Sequence, residues 1–166
     1  MAPPCVRTEL IDTTMDDLLT AKAADIVTFR VHDMLCGLDI ADVQEIKRIH
    51  EITAVHRAPP DVRGVVNMRG RIVTIIDVRQ KLGFPAAAGG PALVIVVPHR
   101  DELLGLLVDD VDDIVRVKPG AMAPAPDNLE GVERDLFCGV LKLDQTLVAI
   151  LDRSRIVERN VRPPPG

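Results

Sequence analysis

An all-β fold made of two similar halves is what this sequence specifies, and the grounds are its texture, its composition and an internal repeat. From Asp25 onward the chain is a succession of short apolar runs: DIVTFRV, MLCGLDI, VRGVVNM, RIVTIID, ALVIVV, ELLGLLVDDV, LFCGVLKL and TLVAILD. Turn-like stretches such as HD, RG, HRDE and LDQT separate them, which is the pattern of strands in barrels and sandwiches. Apolar residues make up 47% of the chain and aromatics only 2%, with no Trp and no Tyr, so Val, Ile and Leu must fill the core. The β-branched Val and Ile among them favour sheet.

The repeat gives the organisation. Aligning Gly37 with Gly105 sets GLDIADVQEI over GLLVDDVDDI without a gap, each preceded by an apolar strand and a polar turn. Aligning Gly64 with Gly139 sets GVVNMRGRIVTIIDVRQKL over GVLKLDQTLVAILDRSRIV, and both read as strand, turn, strand, aspartate, short helix. The two pairs occur in the same order. The main domain, residues 23–160, therefore reads as a first barrel at about 25–87 and a second at about 91–152, joined around GFPAAAGGP. Two small closed or nearly closed sheets sharing a core are expected.

Taken in order, residues 1–22 form an N-terminal extension, partly helical or flexible, in which Thr13 or Thr14 caps a short helix carrying Leu18 and Leu19. Strand pairs follow in each half. Asp77 and Asp152 each follow an apolar strand and precede a short peripheral helix, the place of an N-cap aspartate. Residues 161–166, at the end of NVRPPPG, form a flexible tail. Arg69, in the turn of GVVNMRGRIVTIIDVR, aligns with Asp144 in the other half. A turn needs no arginine, so Arg69 points to a task specific to one half.

Composition excludes several classes of function. The formal net charge is -5 and no basic stretch carries interleaved aromatics, so nucleic-acid binding lacks both its electrostatics and its stacking platforms. No apolar stretch approaches the roughly 20 residues needed to span a bilayer. Cys5, Cys36 and Cys138 are far apart without a CxxC pair, and the N-terminus lacks a signal-peptide core, which predicts a cytoplasmic protein with reduced thiols.

Catalytic machinery is equally absent from the pattern. Ser154 is the only serine and sits among charges. His32, His50, His56 and His99 fall in turns without HExxH and read as ordinary solvated histidines. There is no GxGxxG and no GxxxxGK[ST], and the prediction is a non-enzyme without cofactor. Asp109, Asp110, Asp112 and Asp113 in LLVDDVDDIV read as a solvated acidic edge that discourages unwanted sheet pairing, with a divalent-cation regulatory site through Asp109–Asp113 as the alternative. Cys36 and Cys138, each beside a glycine in an apolar run, read as buried packing residues.

The order of motifs carries a resemblance. VTFRVHDMLCGLDIADVQEI, then ITAVHRAPPDVRGVVNMRGRIVTIIDVRQKLG, LLVDDVDDIV and GVLKLDQTLVAILDRSRIV, together resemble the CheW-like domain of bacterial chemotaxis coupling proteins from about Asp25 to Arg159. The segment from Pro59 to Gly83 is the most specific, being similar to P-x-x-V-x-G-V-x-N-L-R-G-x-I-x-P-I-I-D-L-R-x-x-L-G. The resemblance implies two intertwined five-stranded β-barrels. It also implies an adaptor linking the histidine kinase CheA, through its regulatory domain, to the cytoplasmic tips of chemoreceptors, the methyl-accepting chemotaxis proteins. Such a protein is cytoplasmic and joins membrane-bound receptor arrays through its partners.

By the same resemblance, receptor contact falls on a groove between the barrels. The glutamate of V-x-E-I is here Glu45, with Val43 before it, and the Asn and Arg of N-L-R-G are Asn67 and Arg69. Glu45 and Arg69 either pair with each other, fixing the hairpin, or face a partner, and the two roles are compatible. Four positions depart from the pattern: Cys36 and Asp61 where aromatics are common, Met68 for leucine and Thr74 for proline. Asp61 bears on partner identity more than on fold, and leaves a paralogue of an accessory pathway, or a competitor binding one partner, as alternatives.

Overall fold

A computed structural model describes residues 24–85, 92–118, 121–124, 136–143 and 145–157; the extension, the tail and Asp144 lie outside these. Eleven strands and two four-residue helices are present among the described residues. In chain order they are β1 (Ala24–Val31), β2 (Met34–Asp39), β3 (Glu45–Ile49), β4 (Val62–Met68), β5 (Arg71–Asp77), α1 (Val78–Lys81), β6 (Ala92–His99), β7 (Glu102–Val108), β8 (Asp110–Val117), β9 (Met122–Ala123), β10 (Phe137–Leu143), β11 (Thr146–Leu151) and α2 (Arg153–Ile156). The fold is all-β, in two curled sheets.

The strands sort into a six-stranded sheet, β8-β1-β2-β11-β10-β9, and a five-stranded sheet, β3-β6-β7-β5-β4. Neither sheet is one half of the repeat. This corrects the division at 25–87 and 91–152: the first half leaves β1 and β2 in one sheet and places β3, β4 and β5 in the other, and the second half does the reverse. Each sheet has the same plan, in which an antiparallel hairpin meets a second hairpin through a central parallel pair, β2 with β11 and β7 with β5. The exchange makes the halves intertwined. The sixth strand is the two-residue β9.

Burial explains why the inner strands are apolar at nearly every position. Alternate residues of a strand face opposite sides of the sheet. On β6, Val94 and Val96 join the interior of the five-stranded barrel while Ile95 and Val97 enter a second core. On β11, Val148 and Ile150 line the six-stranded barrel while Ala149 and Leu151 enter that same second core. It also takes Phe29 and Leu38 from one sheet and Ile76, Leu104 and Leu106 from the other. Strands with both faces buried read as continuous hydrophobic runs, and the shared core bonds the sheets.

Closure also repeats. Thr53, beyond β3, bridges Val65 of β4, and β9, beyond β8, pairs with Val140 and Leu141 of β10. A glycine precedes each closing contact. A Cβ at Gly64 would collide with the Thr53 carbonyl, and one at Gly139 would lie 2.6 Å from the Ala123 carbonyl oxygen. The strand registers shift at these same two places.

Candidate functional site

The seam that closes the five-stranded sheet brings Glu45 and Arg69 together. Glu45 opens β3, opposite Val96 of β6. Arg69 and Gly70 form the two-residue turn between β4 and β5 with φ of 54° and 81°, the left-handed pair that matches the twist of a hairpin. Asn67 holds this turn: its Oδ1 accepts the Gly70 N–H at 2.9 Å. From there Arg69 Nη1 donates to Glu45 Oε2 at 2.9 Å.

The pair is lopsided in exposure. The Arg69 side chain is 72% exposed and that of Glu45 21%, so most of the guanidinium fork faces outward. Glu45 Oε1 is buried without a hydrogen-bond partner. Ile72 lies opposite Asn67 and is 61% exposed. Hydrogen-bond donors and an acceptor thus meet at the tip of the β4–β5 hairpin. Val43 sits lower, where its N–H donates to the Ile40 carbonyl at 3.0 Å and its side chain packs on the shared core, fixing the link into β3.

Asp77 and Asp152 lie inside. Asp77 Oδ1 accepts the Arg79 N–H at 3.0 Å, and Asp152 Oδ1 the Ser154 N–H at 3.0 Å, so each is the N-cap of its helix. Arg63 reaches the other Asp77 oxygen at 3.2 Å. Asp61, where an aromatic is common in the resembling pattern, accepts from Lys81 Nζ at 3.2 Å.

The acidic stretch divides. Asp109 takes Arg79 in a two-point contact, Nε to Oδ1 at 2.8 Å and to Oδ2 at 3.0 Å, and accepts the His32 N–H at 2.7 Å. Its bond raises the Arg79 pKa above the ordinary guanidinium value, against the opposing pull of desolvation. Asp110, Asp112 and Asp113 are exposed along β8. Among the described residues no three His, Cys, Asp or Glu side chains gather closely enough to hold a metal.

His32 is exposed in its turn, in line with a solvated histidine, but it also has partners. Its ring stacks on Phe84 with centroids 4.8 Å apart and planes at 6°, and Nδ1 lies 3.3 Å from Asp33. The sequence reading missed this stack, the Arg79–Asp109 contact and the matching contact of Arg153 with Asp42 at 3.3 Å. All three join segments brought together only by the strand exchange. Cys36 is a free thiol, fully buried opposite Phe29, and burial pushes it up to about 12; Cys138 is buried too but disulfide-bonded, which corrects the expectation of reduced thiols throughout.

Comparison with known proteins decides the family: a model of the CheW-like domain matches residues 25–161. The chain belongs to the CheW-like domain family. Similar proteins include "Chemotaxis protein CheW" of Rhizobium meliloti, 33% identical over 135 residues, covering 81% of this chain and 87% of the relative. "Probable chemotaxis protein CheW" of Rhizobium etli is 32% identical over 129 residues, covering 77% and 83%. Among solved structures, the scaffolding protein TtCheW of Thermoanaerobacter tengcongensis superposes with a TM-score of 0.74 at 27% identity, covering 82% of this chain and 89% of that one. The strand exchange is therefore seen here in a CheW-like chain whose motif glutamate and arginine form an ion pair.

Proposed function

We propose that this CheW-like chain is a non-enzymatic chemotaxis adaptor that couples chemoreceptor signalling tips to the histidine kinase CheA. The family match and the likeness to a scaffolding protein support a chemotaxis scaffold. The observation that carries the finer reading is the Glu45–Arg69 pair: an arginine held on a rigid turn, mostly exposed, against a half-buried carboxylate. Arginine forks that are positioned in advance are frequent anchors of protein interfaces. In this reading Arg69, Asn67 and Glu45 meet a receptor helix bundle, and Val43 sets the course of the chain into β3.

The protein acts in the cytoplasm and reaches receptor arrays through its partners. In keeping with this, no helix among the described residues is long and apolar enough to cross a membrane. The test is co-sedimentation of the full chain with a chemoreceptor signalling fragment and with a CheA regulatory domain from the same cell. Binding to both is expected. Binding to one alone identifies a competitor or a paralogue of an accessory pathway, and binding to neither overturns the proposal.

A further inference from the structure

Cys138 is the extra residue of a β-bulge. The β10–β11 register shifts between Phe137 and Gly139, which leaves Cys138 without a Cα partner in β11. A bulge takes its extra residue out of the ladder and re-aims the side chain. The repeat uses this place twice: the equivalent residue in the β4–β5 bulge is Arg63, whose Nη1 bonds Asp77 at 3.2 Å. At Cys138 the bond is covalent, a disulfide.

Two observations point to its partner. The chain holds three cysteines, and Cys36 is free, enclosed in the core shared by the two sheets. Cys5, in the N-terminal extension, is the sulfur that remains. The second observation is where the extension joins the barrel. Ala24 opens β1 opposite Val117 of β8, and the Val117 side chain packs in the interior of the six-stranded barrel together with Cys138. Eighteen residues separate Cys5 from Ala24, a reach of up to about 60 Å, whereas a domain of this size is only about 40 Å across. The extension thus departs from the barrel that holds Cys138 and is long enough to return to it.

We infer that a disulfide between Cys5 and Cys138 fastens the N-terminal extension to the six-stranded barrel and acts as a redox switch for its release. The switch rests on the cytoplasmic reading above, because in that compartment stable disulfides are rare and those that form are mostly transient and redox-sensing. Opening is thiol–disulfide exchange with a dithiol reductant or with glutathione. A thiolate forms a mixed disulfide with one of the two sulfurs and a second thiol resolves it, so that the S–S bond breaks and two electrons and two protons pass to Cys5 and Cys138. Closure is the reverse, with oxidised glutathione as the acceptor. Cys36 takes no part, since the shared core buries it fully.

Peptide mapping of the full chain after equilibration in glutathione buffers tests this. From oxidised glutathione, alkylation in denaturant and tryptic digestion are expected to yield residues 1–7 joined to residues 135–142. From an excess of reduced glutathione the same two peptides are expected apart and alkylated, with a melt showing that the barrels stay folded. Cys5→Ser leaves the barrel interior untouched and is expected to give no cross-link to residues 135–142 in either buffer. Cys138 unlinked in oxidised glutathione, linked to Cys36 or to another copy, or still linked in Cys5→Ser overturns the bond. A joined pair that survives excess reduced glutathione in the folded chain is a structural staple and overturns the switch. Cell fractionation tests the cytoplasmic reading separately.

Discussion

Arg79 closes on Asp109 with Nε 2.8 Å from Oδ1, and so ties α1, at the end of the five-stranded sheet, to the link that enters β8 of the six-stranded one. Arg153 makes the matching contact with Asp42, in the link that leaves the six-stranded sheet for β3. Each crossover between the sheets is therefore held by an arginine from the helix at the end of the sheet it departs from or passes.

Arg79 and Asp109 are 24% and 22% exposed, enough burial for the contact to count. Arg79→Ala is expected to lower stability by about 1.5–3 kcal/mol, the range for hydrogen bonds to charged groups. That is a fall in the melting temperature of several degrees for a domain of this size. Arg116→Ala, removing a contact to Asp25 whose arginine is 73% exposed, serves as the control and leaves the melt unchanged within scatter. Thermal denaturation of the two variants side by side checks this.

Cys36 ionises at about 12 in the folded chain against an ordinary 9.0. Between those values the unfolded chain releases a proton that the folded chain keeps, so this group's contribution to stability falls as pH rises through that window. Below it, the native thiol is inert because the thiolate is the reactive form. Alkylation at pH 8 followed by peptide mass analysis should leave Cys36 unmodified in the native protein and label it in denaturant.

The repeat exposes a swap between ionic and apolar packing. Asp61, Arg63 and Lys81 of the first half align with Leu136, Cys138 and Ile156 of the second, all three buried. The Lys81 side chain is 9% exposed and that of Asp61 18%. Replacing a whole buried pair by apolar residues is near neutral, whereas removing one partner strands a charge. Asp61→Leu/Lys81→Ile should therefore melt within a few degrees of the parent. Lys81→Ile alone should cost about 3 kcal/mol or more. A denaturant series on the single and double variants measures both.

Much of this architecture was legible because the repeat and the apolar runs are local signals. All eight runs became strands, and the aspartates before VRQK and RSRI became caps. What was not legible is the partition of strands between sheets, since identical runs serve either barrel and only the shared core distinguishes them. β3 and β8 escaped as separate strands for a related reason: EIKRI and DVDDIVRV expose a face each and lack the continuous apolar run of the inner strands. At the site, Glu45 and Arg69 were legible as motif residues, but their pairing depends on closure at Thr53 and Val65. Ile72 gave no signal, because RIVTIID does not tell its outward isoleucine from its inward ones.

The Glu45–Arg69 ion pair is exposed on the arginine side, so it stabilises the fold by no more than about 1 kcal/mol. A receptor-binding titration of Arg69→Ala and Glu45→Ala, run beside their thermal melts, is the most direct test of the adaptor account. It predicts melts within a few degrees of the parent and binding to a chemoreceptor signalling fragment weakened at least about fivefold, the loss of one modest hot spot. Unchanged receptor binding by folded variants, or loss of folding in both, would contradict it.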